Sequence, residues 1–553
     1  MSHSAGPHNP THAFDLLAHF VDPPSPHPRR PWLPTAGTLP QFGHRLGGQP
    51  AVVSLTSALR SLGQVIFINN PISGLLLLLA LLWQSPAMGI FAALGIATAN
   101  ITSLVIGGDR SARHNGIYGF NGALVGSAAA AFATLDGHLS LLAWMPLVAV
   151  GAALTTLLLV NLGGWLIRHL GVPPLTLPFC LITWVVLALV MALNHPALTL
   201  MASGSAIGQA PAGLDLLQGV VRGFGQVFLC PSLPSGLFVL VAVAAGSPLA
   251  ALLGVAGGLV SSLTALAMGM DAGSVALGLG SYNGVLTAIA IGGTFYATTR
   301  ESLLIALLAA AGSSLVTPPL AQTLAAARLP LLTFPFVVAT MATMVAVRRA
   351  RPTLLPVALH SVLTPEEHRQ RFITARSLLK QFRRQLQRAI SGERQPMLMA
   401  QADAAQRQEL QNLFEELDRD GSGSLSVAEL ATGLMQRQSV NRADVTSRQR
   451  FLLFQSILKR MDLDGDGRVD PEEFGELMLR LRRLKAGRSE LLTYLQPADA
   501  DGNAELDPAE LDRLLVSVGQ PRLREQEHQA VFAGGAAGPG LSWGRFLDLL
   551  LLT

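Results

Sequence analysis

Lysine is missing from the first 379 residues of this 553-residue chain; Lys380, Lys459 and Lys485 all come late. Charge of either sign is scarce between Ser61 and Val347, where only six arginines, four aspartates and one glutamate occur. A soluble domain needs more charge than that on its surface, so an ordinary water-exposed exterior is excluded for this stretch. Cysteine is scarce too: Cys180 and Cys230 lie in apolar context, without the number or spacing of a disulfide framework or a zinc site. No phosphate loop, HExxH or GxSxG occurs, and no nucleophile is paired with a base, so the chain is expected not to be an enzyme. The pI of about 9.4 rests on a net charge of only +4, and no basic stripe carries interleaved aromatics, which removes nucleic acid as a partner.

What is present is apolar. Half of the residues are hydrophobic and the mean hydropathy is +0.43, values that place part of the chain in a lipid bilayer. From about Ile72 onward come ISGLLLLLALLW, LSLLAWMPLVAVGAALTTLLLV, LITWVVLALVMALN, SGLFVLVAVAAG and SLLIALLAAAGSSLV. Several approach the ~20 residues a spanning helix needs, and others are cut short by Gly and Pro, a pattern that points to re-entrant or discontinuous helices. Residues 1–47, rich in Pro and His, read as a disordered tail. Arg29, Arg30 and Arg45 precede the apolar region, and Arg348, Arg349 and Arg351 end it. Basic residues beyond both ends put both termini on the cytoplasmic side of a cell membrane, with an even number of spans. Residues 365–391 then read as a basic amphipathic linker helix, with Phe372, Ile373, Leu378, Leu379, Phe382 and Leu386 as its apolar residues.

One phrase occurs twice. Residues 60–75, RSLGQVIFINNPISGL, return 162 positions later as RGFGQVFLCPSLPSGL, and the same offset pairs YGFNGALVG with GSYNGVLTA and Asp109 with Asp271. After a five-residue slip, PPLTLPF at 173–179 pairs with PLLTFPF at 330–336. Two homologous halves follow, 48–200 and 201–347, each with apolar sequence for about five spans and one re-entrant segment. An odd number per half inverts the second relative to the first, giving an all-α inverted repeat of about ten spans and two re-entrant half-helices.

The ordered GQV…SGL, NG and LxLP/LLTFPF phrases, over about 300 residues, resemble those of the urea transporter family, of the bacterial type. The resemblance implies a homotrimer in which each protomer passes urea down its gradient through a channel-like path. It implies that Gln64, Val65 and Phe67, with Gln226, Val227 and Leu229, bring carbonyls and amides to the urea edge. Phe67, Phe120 and Leu124, with Leu229, Tyr282 and Leu286, would flatten the slot, and Thr176 and Thr333 would supply hydroxyls at its centre. Tyr282 stands where the family more often has an apolar aromatic, and Gln226 where it often has Glu, which leaves short amides or ammonia as alternative permeants.

Residues 418–429, DRDGSGSLSVAE, and 462–473, DLDGDGRVDPEE, carry oxygen donors at positions 1, 3, 5, 7, 9 and 12 of a twelve-residue loop with Gly at position 6. That is the EF-hand pattern for Ca²⁺. The ligands are Asp418, Asp420, Ser422, Ser424, Ser426 and Glu429, then Asp462, Asp464, Asp466, Arg468, Asp470 and Glu473, positions 7 acting through the backbone carbonyl. A third loop, 499–510, offers Asp499, Asp501, Asn503, Glu505, Asp507 and Glu510 but has Ala504 at the sharp turn, so it is expected to bind more weakly. A fourth copy, 534–545, lacks carboxylates and is expected only to pair with the third. Residues 400–553 thus resemble calmodulin-like domains, joined by a linker at 348–399. The domain is expected either to regulate the pore or to act as a static Ca²⁺ buffer.

Overall fold

Asparagine or serine starts many of the helices, and proline extends them. Asn70 Oδ1 accepts from the N–H groups of Ile72 (2.8 Å) and Ser73 (3.1 Å), with Pro71 at the first helical position, and Ser232 Oγ accepts from Ser235 N–H (3.3 Å) 162 residues later. These caps satisfy amides that a helix start leaves orphaned. The computed structural model describes residues 35–39, 49–135, 138–201, 215–351, 354–356, 363–391, 398–426, 428–429, 432, 455, 462, 468–499, 501, 503, 505–532 and 540–552. They fall into two units, one of Arg30–Gln370 and one of the remaining residues.

In the first unit, one series of helices runs α1 (Pro50–Gln64), α2 (Pro71–Gln84), α3 (Pro86–Val105), α4 (Arg110–His114), α5 (Phe120–Phe132), α6 (His138–Leu170) and α7 (Leu177–Leu193). A second runs α8 (Leu216–Gln226), α9 (Leu233–Gly246), α10 (Pro248–Ala267), α11 (Ala272–Ala276), α12 (Tyr282–Ile289), a π-helical turn Ala290–Thr294, α13 (Arg300–Leu315), α14 (Thr317–Ala326) and α15 (Phe334–Ala350). Among the described residues, α3, α6, α10 and the stretch Arg300–Ala326 are long and apolar enough to cross a membrane, and α2, α5, α7 and α9 are shorter apolar helices.

The two series repeat each other's contacts. A Cβ on Gly95 would lie 2.0 Å from the Gly122 carbonyl oxygen, and one on Gly257 would lie 2.5 Å from that of Gly284, so α3 meets α5, and α10 meets α12, backbone to backbone. A second contact is repeated with its partners exchanged. Ser61 on α1 faces Gly119, and its Oγ donates to the Ser57 carbonyl (3.0 Å). In the other series Gly223 on α8 faces Ser281, whose Oγ donates to the Gly219 carbonyl (2.9 Å). Each contact has room for one side chain, and the hydroxyl reaches the equivalent carbonyl from whichever strand of the contact carries it.

Asp109 and Asp271, paired by the repeat, cap equivalent short helices. Asp109 Oδ1 accepts from Ala112 N–H at the start of α4, and Asp271 Oδ1 from Ser274 N–H at the start of α11, both at 2.8 Å. Buried Arg60 donates to the carbonyl and the side chain of Asn69, each at 2.8 Å, whereas Arg222 donates to the Ala276 carbonyl at 3.3 Å. Most of the expected N-terminal tail lies outside the described residues. Within it, however, Gly37 N–H donates to the Gly246 carbonyl (2.9 Å), and Thr38 N–H donates to Glu367 (3.1 Å). Leu62, Phe67 and Phe179 of one series share a single core with Val227, Leu286 and Phe336 of the other.

Helix α16 (Pro365–Ser391) has the bounds expected of the linker. Glu366, in its first turn, accepts from Ser247 Oγ (2.6 Å) and Leu249 N–H (2.7 Å), within the first unit. From Arg371 on, it belongs to the second unit, where Leu379, Phe382 and Leu386 are buried and Ile373 is exposed. Phe382 meets Phe546 edge to face at 5.5 Å, and Arg383 pairs with Glu527 at 3.2 Å. The helix is therefore packed rather than simply solvated. Among the described residues, the rest of this unit comprises a short 3₁₀ turn (Met399–Gln401), α17 (Ala404–Leu417), α18 (Pro471–Ala498), β1 (Glu505–Leu506), α19 (Pro508–Ser517), α20 (Glu525–Phe532), β2 (Leu541–Ser542) and α21 (Trp543–Leu552).

The exchanged serine gives a direct check. Gly119→Ser should lower the unfolding midpoint of the purified protein, by about 1–3 kcal/mol for overpacking. Adding Ser61→Gly should recover most of the loss, because the double variant rebuilds the Gly223–Ser281 arrangement.

Candidate functional site

A helix that stops within an apolar core must satisfy its last carbonyls locally. At the end of α1 the Ile68 N–H donates to the Gly63 carbonyl (2.8 Å), and Phe67 takes φ of 64°. At the end of α8 the Cys230 N–H donates to the Gly225 carbonyl (3.0 Å), and Leu229 takes φ of 61°. Glycine usually occupies such a left-handed position, and placing Phe or Leu there costs on the order of 1–3 kcal/mol. Among the described residues, no hydrogen bond is made to the carbonyls of Val65, Ile66 or Val227. Gln64 Nε2 donates to the Asn115 carbonyl (2.7 Å) and Gln226 Nε2 to the Leu277 carbonyl (3.0 Å), so equivalent carbonyls fix both amides.

The threonine-bearing turns show the same device. Leu175 and Leu332, each just before its threonine, have φ of 52° and 51°. The Phe179 N–H donates to Asn121 Oδ1 (3.2 Å) and the Phe336 N–H to Asn283 Oδ1 (3.3 Å), so the NG asparagines hold the starts of α7 and α15. Thus oriented, Thr176 and Thr333 meet through their hydroxyls at 2.7 Å, both buried, with Cys180 Sγ 3.7 Å from Thr333 Oγ1.

A narrow cavity of about 40 Å³ adjoins this pair. Five of the twelve expected residues line it: Gln64, Val65, Phe67, Phe120 and Thr176. The other seven do not line that cavity: Leu124, Val227, Leu286, Tyr282 and Thr333 are buried, and Gln226 and Leu229 half-buried. Tyr282 is buried, and its hydroxyl donates to the Leu332 carbonyl at 2.7 Å, holding the left-handed turn before Thr333. The cavity also takes Ile117, Leu159, Pro173, Pro174, Leu175 and Phe295. Phe295 packs edge to face on Phe67, with ring centroids 5.6 Å apart. It follows the π-helical turn, and 162 residues earlier stands Ala133, so the internal repeat carries no signal for it.

In the second unit, carboxylate oxygens of Asp418, Asp420 and Glu429 lie within 4.8 Å of one another, as do those of Asp499, Asp501 and Glu510. The Ser422 N–H donates to both Asp418 Oδ1 and Asp420 Oδ1 at 3.0 Å, and Gly423, at the sharp turn, has φ of 73°. Three carboxylates this close repel one another, and an all-oxygen donor set fits a hard divalent cation such as Ca²⁺. Burial pushes the Glu429 carboxyl up, but donors from Ser426 (2.9 and 2.7 Å), Asp420 (3.4 Å) and Arg419 (2.9 Å) outweigh it and hold the group below its ordinary value. The Ser422 hydrogen bond lowers Asp420 as well.

In the second loop Asp462, Arg468, Asp470 and Glu473 are described, with the Asp470 N–H donating to Glu473 (3.2 Å), while Asp464 and Asp466 lie outside the described residues. In the third, Asp507 and Glu510 form a capping box, Asn503 N–H donates to Asp501 Oδ1 (3.0 Å), and Glu505 N–H to Asn503 Oδ1 (2.7 Å); Ala504 lies outside the described residues. Loops pair as expected: Leu425 N–H donates to the Val469 carbonyl (2.9 Å), and β1 pairs antiparallel with β2 of the fourth copy. A lowered carboxyl stays ionised to lower pH, so protons should compete with calcium at Asp420 and Glu429 only below the ordinary carboxyl value of about 4. Glu429→Gln should remove one equivalent of bound calcium by titration calorimetry, and its difference from the parent should be as large at about pH 5 as at pH 7.

Residues 55–348 match the family model of the urea transporter, and residues 407–479 match that of the EF-hand domain pair. The chain is 28% identical over 341 residues to urea transporter 1 of Ovis aries, covering 60% of this chain and 87% of that protein. To urea transporter 1 of Rattus norvegicus it is 29% identical over 340 residues, with the same coverage. Its C-terminal part is 37% identical over 83 residues to calhepatin of Lepidosiren paradoxus, covering 15% of this chain and 99% of that protein. Because the first of these models spans more than half of the sequence, the chain belongs to the urea transporter family, here joined to a C-terminal EF-hand pair.

Proposed function

We propose that this protein is a channel rather than an enzyme, passing urea passively through a path between two inverted halves, with a Ca²⁺-binding domain that regulates it. The halves are residues 48–200 and 201–347, each of about five spans and one re-entrant half-helix. The tail 1–47, linker 348–399 and EF-hand domain 400–553 complete the chain, with both termini in the cytoplasm and three protomers of the bacterial type assembled in the membrane.

Urea is neutral, so no ionisable side chain need face it. Its four N–H donors and one carbonyl would still lose several hydrogen bonds in a dry slot, at a cost of a few kcal/mol, unless the wall replaced them. The open carbonyls beyond Gln64 and Gln226 serve the donor edge. Phe67, Phe120 and Leu124, with Leu229, Tyr282 and Leu286, present flat apolar surfaces, and Phe295 braces the Phe67 ring. The Tyr282 hydroxyl, already bonded to the Leu332 carbonyl, leaves that face apolar despite the substitution.

The observation that carries this reading is the Thr176–Thr333 pair: two hydroxyls from equivalent turns, 2.7 Å apart beside the cavity. Either can donate or accept, which suits a midpoint that urea crosses end first. Stopped-flow flux in proteoliposomes tests it. Thr176→Val and Thr333→Val should each lower urea permeability about 5- to 100-fold, as expected for ~1–3 kcal/mol of lost polar contact. Faster passage of formamide or ammonia than of urea would replace urea with a different permeant. For regulation, micromolar Ca²⁺ on the cytoplasmic side should change the flux; unchanged flux with filled loops would make the domain a buffer.

A further inference from the structure

Helices α16 and α18 line a hollow of about 320 Å³ in the second unit, and none of the described calcium-loop carboxylates is among its lining residues. Lys380, Arg384 and Arg388 lie four residues apart along one face of α16, and Arg480 and Arg483 face them from α18. One carboxylate, Glu476, shares the lining, and its charge is already engaged: it accepts from Arg480 Nε at 3.1 Å and from Met399 N–H at 3.0 Å. A merely solvated basic face would be convex and interleaved with acids. This one is concave and, among the described residues, sets four cations beside the Arg480–Glu476 pair. Gln385 also lines it; its side chain is buried and its amide oxygen makes no hydrogen bond.

We propose that this hollow binds a multiply phosphorylated anion. Guanidinium groups on two walls match phosphate oxygens in pairs, Lys380 supplies a compact third charge, and the Gln385 amide can serve a hydroxyl between the phosphates. A monovalent anion would leave most of these cations unpaired. The ligand is either a free polyphosphate or a phosphorylated lipid headgroup, which share this chemistry. Glu473, the last calcium ligand of the second loop, lies on the same helix one turn before Glu476, so the anion and calcium act on a common element.

The full-length protein in nanodiscs tests the proposal through two lysines, because Lys380 lies in the hollow and Lys485 does not line it; Lys459 lies outside the described residues. Amine acetylation of both lysines is followed by mass spectrometry, in phosphatidylcholine nanodiscs with and without inositol trisphosphate, and in nanodiscs with about a fifth phosphatidylinositol bisphosphate. Acetylation of Lys380 should slow roughly tenfold in one of the two arms while that of Lys485 is unaffected. Protection by inositol trisphosphate identifies a free polyphosphate, and protection by phosphatidylinositol bisphosphate alone a lipid headgroup. Arg384→Gln/Arg388→Gln, checked for unchanged helix content and calcium uptake, should abolish the protection. Unchanged Lys380 acetylation in both arms, or equal slowing of Lys380 and Lys485, would overturn the proposal.

Discussion

Helices that end inside an apolar core are the constraint on which the first unit depends. Their last carbonyls cannot turn to water, and the chain resolves this at the ends of α1 and α8 by forcing a bulky residue into the left-handed region, a device it uses twice more in the turns that precede α7 and α15. Phe67, Leu229, Leu175 and Leu332 all adopt it, with φ between 51° and 64°. Strain of that kind persists only where the surroundings over-determine it. Here they do: Asn121 and Asn283 hold the following helix starts, Gln64 and Gln226 hold the preceding turns, and Tyr282 fastens the Leu332 carbonyl. Two hydroxyls and a row of carbonyls are thereby kept in place in a region almost without charge.

The repeat is closer in physics than in letters. Ser61 and Ser281 are not equivalent positions, yet each hydroxyl reaches the same carbonyl of its series. Asn70 and Ser232 differ in type and perform the same cap. Where chemistry rather than identity differs, the halves diverge: Arg60 and Asn69 form a buried pair, while Arg222 reaches a carbonyl beside α11 instead.

Much of this was legible in the sequence because polar residues are rare enough between 61 and 347 for each repetition to stand out. The capping aspartates, the linker helix and the pairing of calcium loops were readable from spacing and residue type. The left-handed leucines were not, since leucine carries no local preference for that conformation. Phe295 was hidden because the π-helical turn that delivers it has no counterpart in the other series. The Tyr282 hydroxyl had a visible position but an invisible partner, 50 residues away in sequence. In the second unit, the single 28-residue helix α18 joins the second calcium loop to the third, a continuity that loop motifs alone do not specify.

The central claim is that the permeation path runs between the halves at Thr176 and Thr333. Their hydroxyl oxygens lie 2.7 Å apart, close enough for paired cysteines to bridge with little backbone movement. In a Cys180→Ala background, which removes the neighbouring thiol, Thr176→Cys/Thr333→Cys should conduct urea when reduced, lose that flux on oxidation and regain it with dithiothreitol. A disulfide that forms fully, as judged by mass spectrometry, yet leaves urea flux unchanged would contradict the account.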